Sequence, residues 1–227
     1  MAPIFGYWKL RGLAEGVRYL LAYTNTEYER KDYVTGDAPD FNKDGWLSEK
    51  ENIGLLLPNV PYNMDGDIKL TQTSAIMRHI ARQHDLCGKT EEEKCLCDMI
   101  DYEIKDFFPG FFKATYFTNN FEEDIKVYLK GIRTLVKRFA NFLGTNPYFA
   151  GQNLTFADFN VWEALDQLRT LDPTILDGHD NLKGFMKRIQ ELPGVREYMA
   201  SEFYHSLPIS NKMAKWGTQP NPPPVKL

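Results

Sequence analysis

The hydrophobic periodicity of this chain changes character once, near His84, and that change limits its fold more than any other feature. Before it, short apolar runs of strand type alternate with helical spacing; after it, helical spacing continues alone. A chain built this way fits a mixed α/β layer followed by an all-helical one. The expected division is residues 1–84 for the mixed unit, 85–90 for a linker, 91–217 for the helical unit and 218–227 for an irregular tail.

In the first part, Pro3 to Trp8 reads as a strand, and Leu13, Val17, Leu20 and Leu21 recur at helical spacing. Tyr28 to Val34 reads as a second strand, and the polar stretch from Thr35 to Gly45 as an exposed loop. Tyr62-Asn63-Met64 and Ile68-Lys69-Leu70 flank Asp65-Gly66-Asp67, a hairpin signal because Gly tolerates the positive φ that such turns need. Thr71-Gln72-Thr73-Ser74 can then cap a helix carrying Ile76, Met77, Ile80 and Ala81.

Beyond the linker candidate Gly88-Lys89-Thr90, four helices are expected. One carries Ile100, Ile104, Phe107, Phe108, Phe111 and Phe112, and a second steps from Ile125 through Leu129, Ile132, Val136 and Phe139 to Leu143. Thr155-Phe156-Ala157-Asp158 has the form of a capping box and opens a third, through Trp162, Leu165 and Leu168. The fourth runs from Leu182 to Leu192 and stops near Pro193-Gly194. From Thr218 the chain is Pro-rich and reads as irregular.

The 227 residues suffice for a real core, and the net charge of -4 gives no electrostatic reason to expect nucleic acid or an anionic membrane as partner. No stretch approaches the roughly 18 unbroken apolar residues of a membrane span, and no secretory signal opens the chain. Cys87, Cys95 and Cys97 form neither a disulfide framework nor a Cys-x-x-Cys zinc site, so reduced thiols and a cytoplasmic location are expected. His79, His84, His179 and His205 lack metal-ligand spacing, so no metal is expected. Gly88-Lys89-Thr90 lacks the upstream Gly of a phosphate-binding loop, and Asn153-Leu154-Thr155 reads better as a helix cap than as a glycosylation acceptor.

Two features have the chemistry to hold a small anionic, peptide-like ligand. A cis bond at Val60-Pro61 would leave the preceding N–H and C=O free for an extended partner, whereas a trans bond makes an ordinary loop. Gln72-Thr73-Ser74 at a helix start either receives a carboxylate or simply caps the helix. Tyr7-Trp8 reads either as core packing with a polar tip or as part of a site, and Trp46 with Lys50 as a surface contact or a ligand pair.

Taken together these residues resemble the cytosolic glutathione transferases, the mu class in particular. The matching stretches are Gly6-Tyr7-Trp8 with Arg11-Gly12-Leu13-Ala14, Gly36-Asp37-Ala38-Pro39-Asp40, Trp46-Leu47-Ser48-Glu49-Lys50, Pro58-Asn59-Val60-Pro61-Tyr62 and Asp65 through Thr73. Ala75-Ile76-Met77-Arg78, Ala150-Gly151, Thr155 through Phe159 and Lys212 through Gly217 continue the match. The resemblance implies a thioredoxin-like N-terminal α/β domain that binds glutathione, then an all-α C-terminal domain that contributes a site for hydrophobic electrophiles. It implies Tyr7 as the catalytic hydroxyl. Trp8, Trp46, Lys50, Asn59, Val60, Gln72 and Thr73 would bind glutathione, with Asp106 supplied by the partner of a homodimer. Leu13, Phe112 and Tyr116 would meet the electrophile, Tyr116 being read equally well as a core residue.

Glutathione would then be a co-substrate, with no separate cofactor, and the reaction a detoxifying conjugation. Thr73 stands where the mu class usually has Ser, Lys43 where Arg is common, and Leu57 where a Phe usually enters the partner subunit; Arg78 and Asp101 are the candidates for pairing across that interface. A non-catalytic carrier of apolar ligands and a glutathione-dependent lipid isomerase are the alternatives on the same fold.

Overall fold

The computed structural model describes residues 2–220. Of the Pro-rich tail expected from Thr218, the last seven positions lie outside the described residues, while Pro220 forms an isolated bridge to Pro208.

The opening apolar run forms β1 (Ile4–Trp8), and β2 (Glu29–Tyr33) pairs with it in parallel, from Ile4 opposite Glu29 to Trp8 opposite Tyr33. A parallel pair needs a crossover, which α1 (Glu15–Tyr23) supplies while burying Val17, Leu20 and Leu21. α2 (Asp44–Leu47) is a single turn at the end of the expected loop. β3 (Tyr62–Asp65) and β4 (Ile68–Thr71) form the hairpin, completing a sheet of order β2-β1-β3-β4. Its turn is Gly66-Asp67 rather than Asp65-Gly66: Asp65 still pairs with Ile68, and Gly66 takes φ 59° at the first loop position.

Strand alternation sorts β1 between two layers. Phe5 and Tyr7 enter the main core with α1 and α3 (Thr73–Gln83), while Ile4 and Trp8 pack against a second cluster of Tyr33, Trp46, Leu55 and Tyr62. The start of α3 departs from expectation, because none of Thr71, Thr73 or Ser74 caps it. Gln72 occupies the cap position with no side-chain hydrogen bond, at φ 73° and ψ 117°. An L-residue held there stores roughly 1–3 kcal/mol of strain, as residues at functional sites often do.

The remainder is helical: α4 (Glu91–Thr115), α5 (Phe121–Leu143), α6 (Phe156–Leu171) and α7 (Asp180–Gln190) are the four anticipated helices. The short α8 (Val195–Met199) and α9 (Glu202–Ser206) were not anticipated. Thr90 and Glu93 form a capping box at the start of α4. At α6 the Asp158 carboxylate receives the Thr155 N–H at 2.8 Å, the Thr155 hydroxyl at 3.1 Å and the Phe149 N–H at 2.8 Å. α6 is buried along its length, packing on α4 and α7 and, across the two halves, on α1.

A buried ionic cluster reinforces that junction. Arg11 donates to Glu163 through Nε at 3.0 Å and Nη2 at 2.5 Å, and to Asp166 at 2.6 Å, all three side chains being almost inaccessible. Arg78 pairs with Asp101 at 2.9 Å and Asp98 at 2.7 Å within the chain. Leu56 is almost fully exposed and Leu57 largely so.

Candidate active site

Tyr7 sits at the carboxyl end of the central strand β1, its side chain on the helical face. After Trp8 the chain turns sharply and is pinned by Arg11 N–H to Pro208 O at 2.8 Å and Gly12 N–H to Ile209 O at 3.1 Å. Beneath it, Arg18 donates to Leu10 O at 2.8 Å and to Glu15 at 2.8 Å. This brings the Leu13 N–H to the Tyr7 hydroxyl oxygen at 3.0 Å. Burial pushes the Tyr7 pKa up to about 12, with the Leu13 hydrogen bond opposing it, so the phenol is neutral near pH 7. Its oxygen accepts from Leu13 and its own proton remains for another acceptor.

Two adjoining cavities meet here, sharing Gly12 and Phe108 as walls. The smaller, about 140 Å³, lies at the start of α3 among Leu13, Gln72, Thr73, Ser74, Asp101 and Lys105. With no side chain capping α3, the N–H groups of its first turn and the positive end of its dipole have no side-chain acceptor among the described residues. A carboxylate fits that need. The Thr73 hydroxyl donates instead to Leu13 O at 2.9 Å, tying the helix start to the same residue that contacts Tyr7.

The larger cavity, about 250 Å³, is lined by Tyr7, Trp8, Phe108, Phe112 and Tyr116, with Gln167 and the segment Ile209–Asn211. Its surface is mainly aromatic, Phe112 meeting Tyr116 edge-on at 5.7 Å. The Tyr116 hydroxyl accepts the Asn211 N–H at 2.9 Å; burial raises its pKa, and this bond opposes the rise. Its proton, like that of Tyr7, is available to an acceptor in the cavity.

The structure thus gathers Tyr7, Trp8, Leu13, Gln72, Thr73, Phe112 and Tyr116 around one pair of cavities. Trp46, Lys50, Asn59 and Val60 lie on neither wall. Trp46 is buried, stacked on Tyr62 with ring centroids 6.0 Å apart, and Lys50 pairs with Glu51 at 3.3 Å. The Val60-Pro61 bond is cis, and the Val60 N–H is held by the Asn59 side chain at 2.9 Å. Asp106 is exposed on α4. Sequence reasoning read Phe108 only as part of a helix face and did not single out Gln167; both line the larger cavity.

Comparison with known proteins gives a consistent result. Residues 3–82 match the family described as glutathione S-transferase, N-terminal domain, and residues 105–202 its C-terminal domain. The chain is 43% identical over 217 residues to glutathione S-transferase Mu 3 of Homo sapiens, covering 96% of each chain. It is 44% identical over 216 residues to glutathione S-transferase Mu 2 of Mus musculus, covering 95% of this chain and 99% of that one. Among solved structures, the glutathione S-transferase Blo t 8 superposes with a TM-score of 0.86 at 32% identity, over 94% of this chain and 99% of that one. A Pi-class glutathione S-transferase of Onchocerca volvulus superposes at 0.82 and 26% identity, over 94% and 100%.

Proposed function

Because the chain belongs to the glutathione S-transferases, and within them to the mu class, we propose that Tyr7 is the hydroxyl that activates the glutathione sulfur. The enzyme is a transferase that joins the glutathione thiolate to hydrophobic electrophiles. Residues 1–84 bind glutathione, and residues 91–217 supply the apolar wall for the second substrate.

One observation carries the assignment to Tyr7: its oxygen is occupied by the Leu13 N–H while its own proton is unspent at the junction of the cavities. A free thiol has a pKa of roughly 8.5, so little of it is thiolate at neutral pH. A hydrogen bond to a charged acceptor contributes roughly 1.5–3 kcal/mol, worth about one to two pKa units. The bound thiol gives its proton to solvent, and the Tyr7 O–H donates to the resulting anion. The sulfur lone pair then forms the S–C bond as the bond from carbon to the leaving group breaks, that group departing with the electron pair.

The γ-glutamyl carboxylate belongs in the smaller cavity, against the N–H groups of the α3 start at Gln72 and Thr73, with Asp106 of a second copy meeting its amine in a homodimer. The cysteinyl backbone pairs with Val60 beside Asn59, displacing the bond between those two residues, and the glycine carboxylate lies between Trp46 and Lys50. Trp8 borders both substrates. Leu13 and Phe112 give the electrophile an apolar surface, and Tyr116 offers it a proton. Glutathione serves as co-substrate, with no other cofactor required, and no apolar helix long enough to cross a membrane occurs among the described residues.

The test is conjugation of an aryl halide by wild type and Tyr7→Phe. Retained glutathione binding with turnover reduced about 10- to 100-fold supports the role; weakened binding with unchanged turnover refutes it. A carrier without chemistry has no use for a neutral phenol poised in this way, and wild-type turnover disposes of it.

A further inference from the structure

We infer that Lys105 is a second anchor for the γ-glutamyl carboxylate, adding a cationic side chain to the N–H groups of the α3 start. The inference rests on the reading of the smaller cavity as the γ-glutamyl subsite. Lys105 stands on α4 and forms part of that cavity's wall together with Gln72, Thr73 and Ser74. It is absent from the wall of the larger cavity, so its charge serves glutathione rather than the electrophile.

The charges around the smaller cavity single this residue out. Its wall carries Asp101, Glu163 and Lys105. Glu163 accepts two hydrogen bonds from Arg11 and one from the Gln167 amide at 2.8 Å. Asp101 accepts from Arg78 at 2.9 Å and from the Asn160 amide at 3.1 Å. Both acids are thus satisfied by other donors.

Lys105 is not held in the same way. Its Nζ lies 3.9 Å from Asp101 Oδ2, beyond hydrogen-bond reach, and 4.1 Å from the centre of the Tyr102 ring, and it makes no hydrogen bond among the described residues. All three of its N–H donors are therefore unspent. The side chain is 45% exposed, so the ammonium can swing on its flexible four-carbon stem towards a ligand in the cavity. A carboxylate at the α3 start would meet a helix end without a side-chain cap and, on the same wall, this one cation.

The experiment measures Kd by calorimetry for glutathione and for 4-aminobutanoyl-cysteinylglycine, which keeps the amine and the thiol and lacks only the γ-glutamyl carboxylate. Lys105→Met should weaken glutathione by about 3- to 10-fold, a modest factor because the side chain is partly exposed, and should leave the affinity for the analogue nearly the same. Lys105→Arg, which keeps the charge, should stay within about twofold of wild type for both ligands. If Lys105→Met weakens both ligands by one factor, or neither, the residue acts on the cavity's shape or not at all, and the inference is overturned. If wild type itself binds the two ligands equally, no charged subsite receives that carboxylate; the reading of the smaller cavity then fails and takes the inference with it.

Discussion

The backbone amide of Leu13 donates to the Tyr7 hydroxyl at 3.0 Å, and that bond determines which way the phenol can serve a ligand. With one lone pair engaged by an N–H, the remaining proton is the group's useful feature. Leu13 also accepts the Thr73 hydroxyl through its carbonyl, so one peptide unit links the start of α3 to the end of β1. The smaller and larger cavities are thereby held in a fixed relation.

A pH profile reads this arrangement directly. Burial raises the Tyr7 pKa from 10.0 to about 12, so the donating form persists well above the pH at which an exposed tyrosine ionises. kcat/KM should rise as the bound thiol ionises and then stay level, with no descending limb from Tyr7 below about pH 10. In Tyr7→Phe the rising limb should move up by about one to two pH units. A rising limb that belongs to Tyr7 itself, lost in the Phe variant, would show that Tyr7 acts as an anion instead.

Gly12 is the position where space rather than charge controls the site. A Cβ there would lie 2.7 Å from the Tyr7 oxygen and 2.5 Å from Leu10 Cδ1, with the backbone at φ +44°. The Leu10 methyl can move aside, but the Tyr7 hydroxyl is held by Leu13. Gly12→Ala should therefore lower kcat/KM by about 10-fold or more through displacement of that hydroxyl, with about 1 kcal/mol lost from unfolding stability. Wild-type kinetics in a normally folded variant would contradict the clash.

Much of this architecture was legible because it rests on local signals. The change of period near His84, the Gly66 turn, and the Thr155–Asp158 spacing are each set by neighbours within a few residues, and each appears in the structure near the expected place. What was not legible depends on distant partners. Thr73 looked like a cap, yet its hydroxyl goes to Leu13 O, sixty positions away in sequence. Arg78 and Asp101 pair within the chain across 23 positions, a contact that helical periodicity does not foretell. Gln167 sits in a helix buried on every side, where a polar residue gives no periodic signal of the cavity it lines.

Arg11 supports the site from below, and its removal should be severe and pH-dependent. Arg11→Met leaves Glu163 buried without its cation, while Asp166 keeps Arg169 at 2.6 Å, a loss of roughly 3–5 kcal/mol. Burial already raises the Glu163 pKa and Arg11 opposes that rise, so deleting Arg11 pushes it further up. An acid with a raised folded pKa holds its proton more tightly folded than unfolded, so its contribution to stability falls as pH rises. The gap between wild type and variant in urea unfolding should be smaller at about pH 5 than at about pH 8. A pH-independent gap would mean that Arg11 acts through packing alone.

Asp158 offers the complementary case, a residue on the wall of neither cavity whose effect should fall on stability alone. Its carboxylate collects three hydrogen bonds from Phe149 and Thr155, two of them from backbone N–H groups. Asp158→Ala strands those donors in a helix start that is wholly buried, with Thr155 and Phe149 almost inaccessible. Each buried donor left unpaired costs roughly 1–3 kcal/mol, so a loss of about 2–5 kcal/mol in urea unfolding is expected. Because α6 carries Glu163 and Gln167 as well, its first turn must stay formed for both cavities to keep their shape. The variant, assayed at a temperature where it is still folded, should nevertheless keep a kcat within about twofold of wild type, since Asp158 touches no reacting group. A large fall in kcat with little change in unfolding midpoint would place Asp158 in the catalytic machinery rather than in the support of α6.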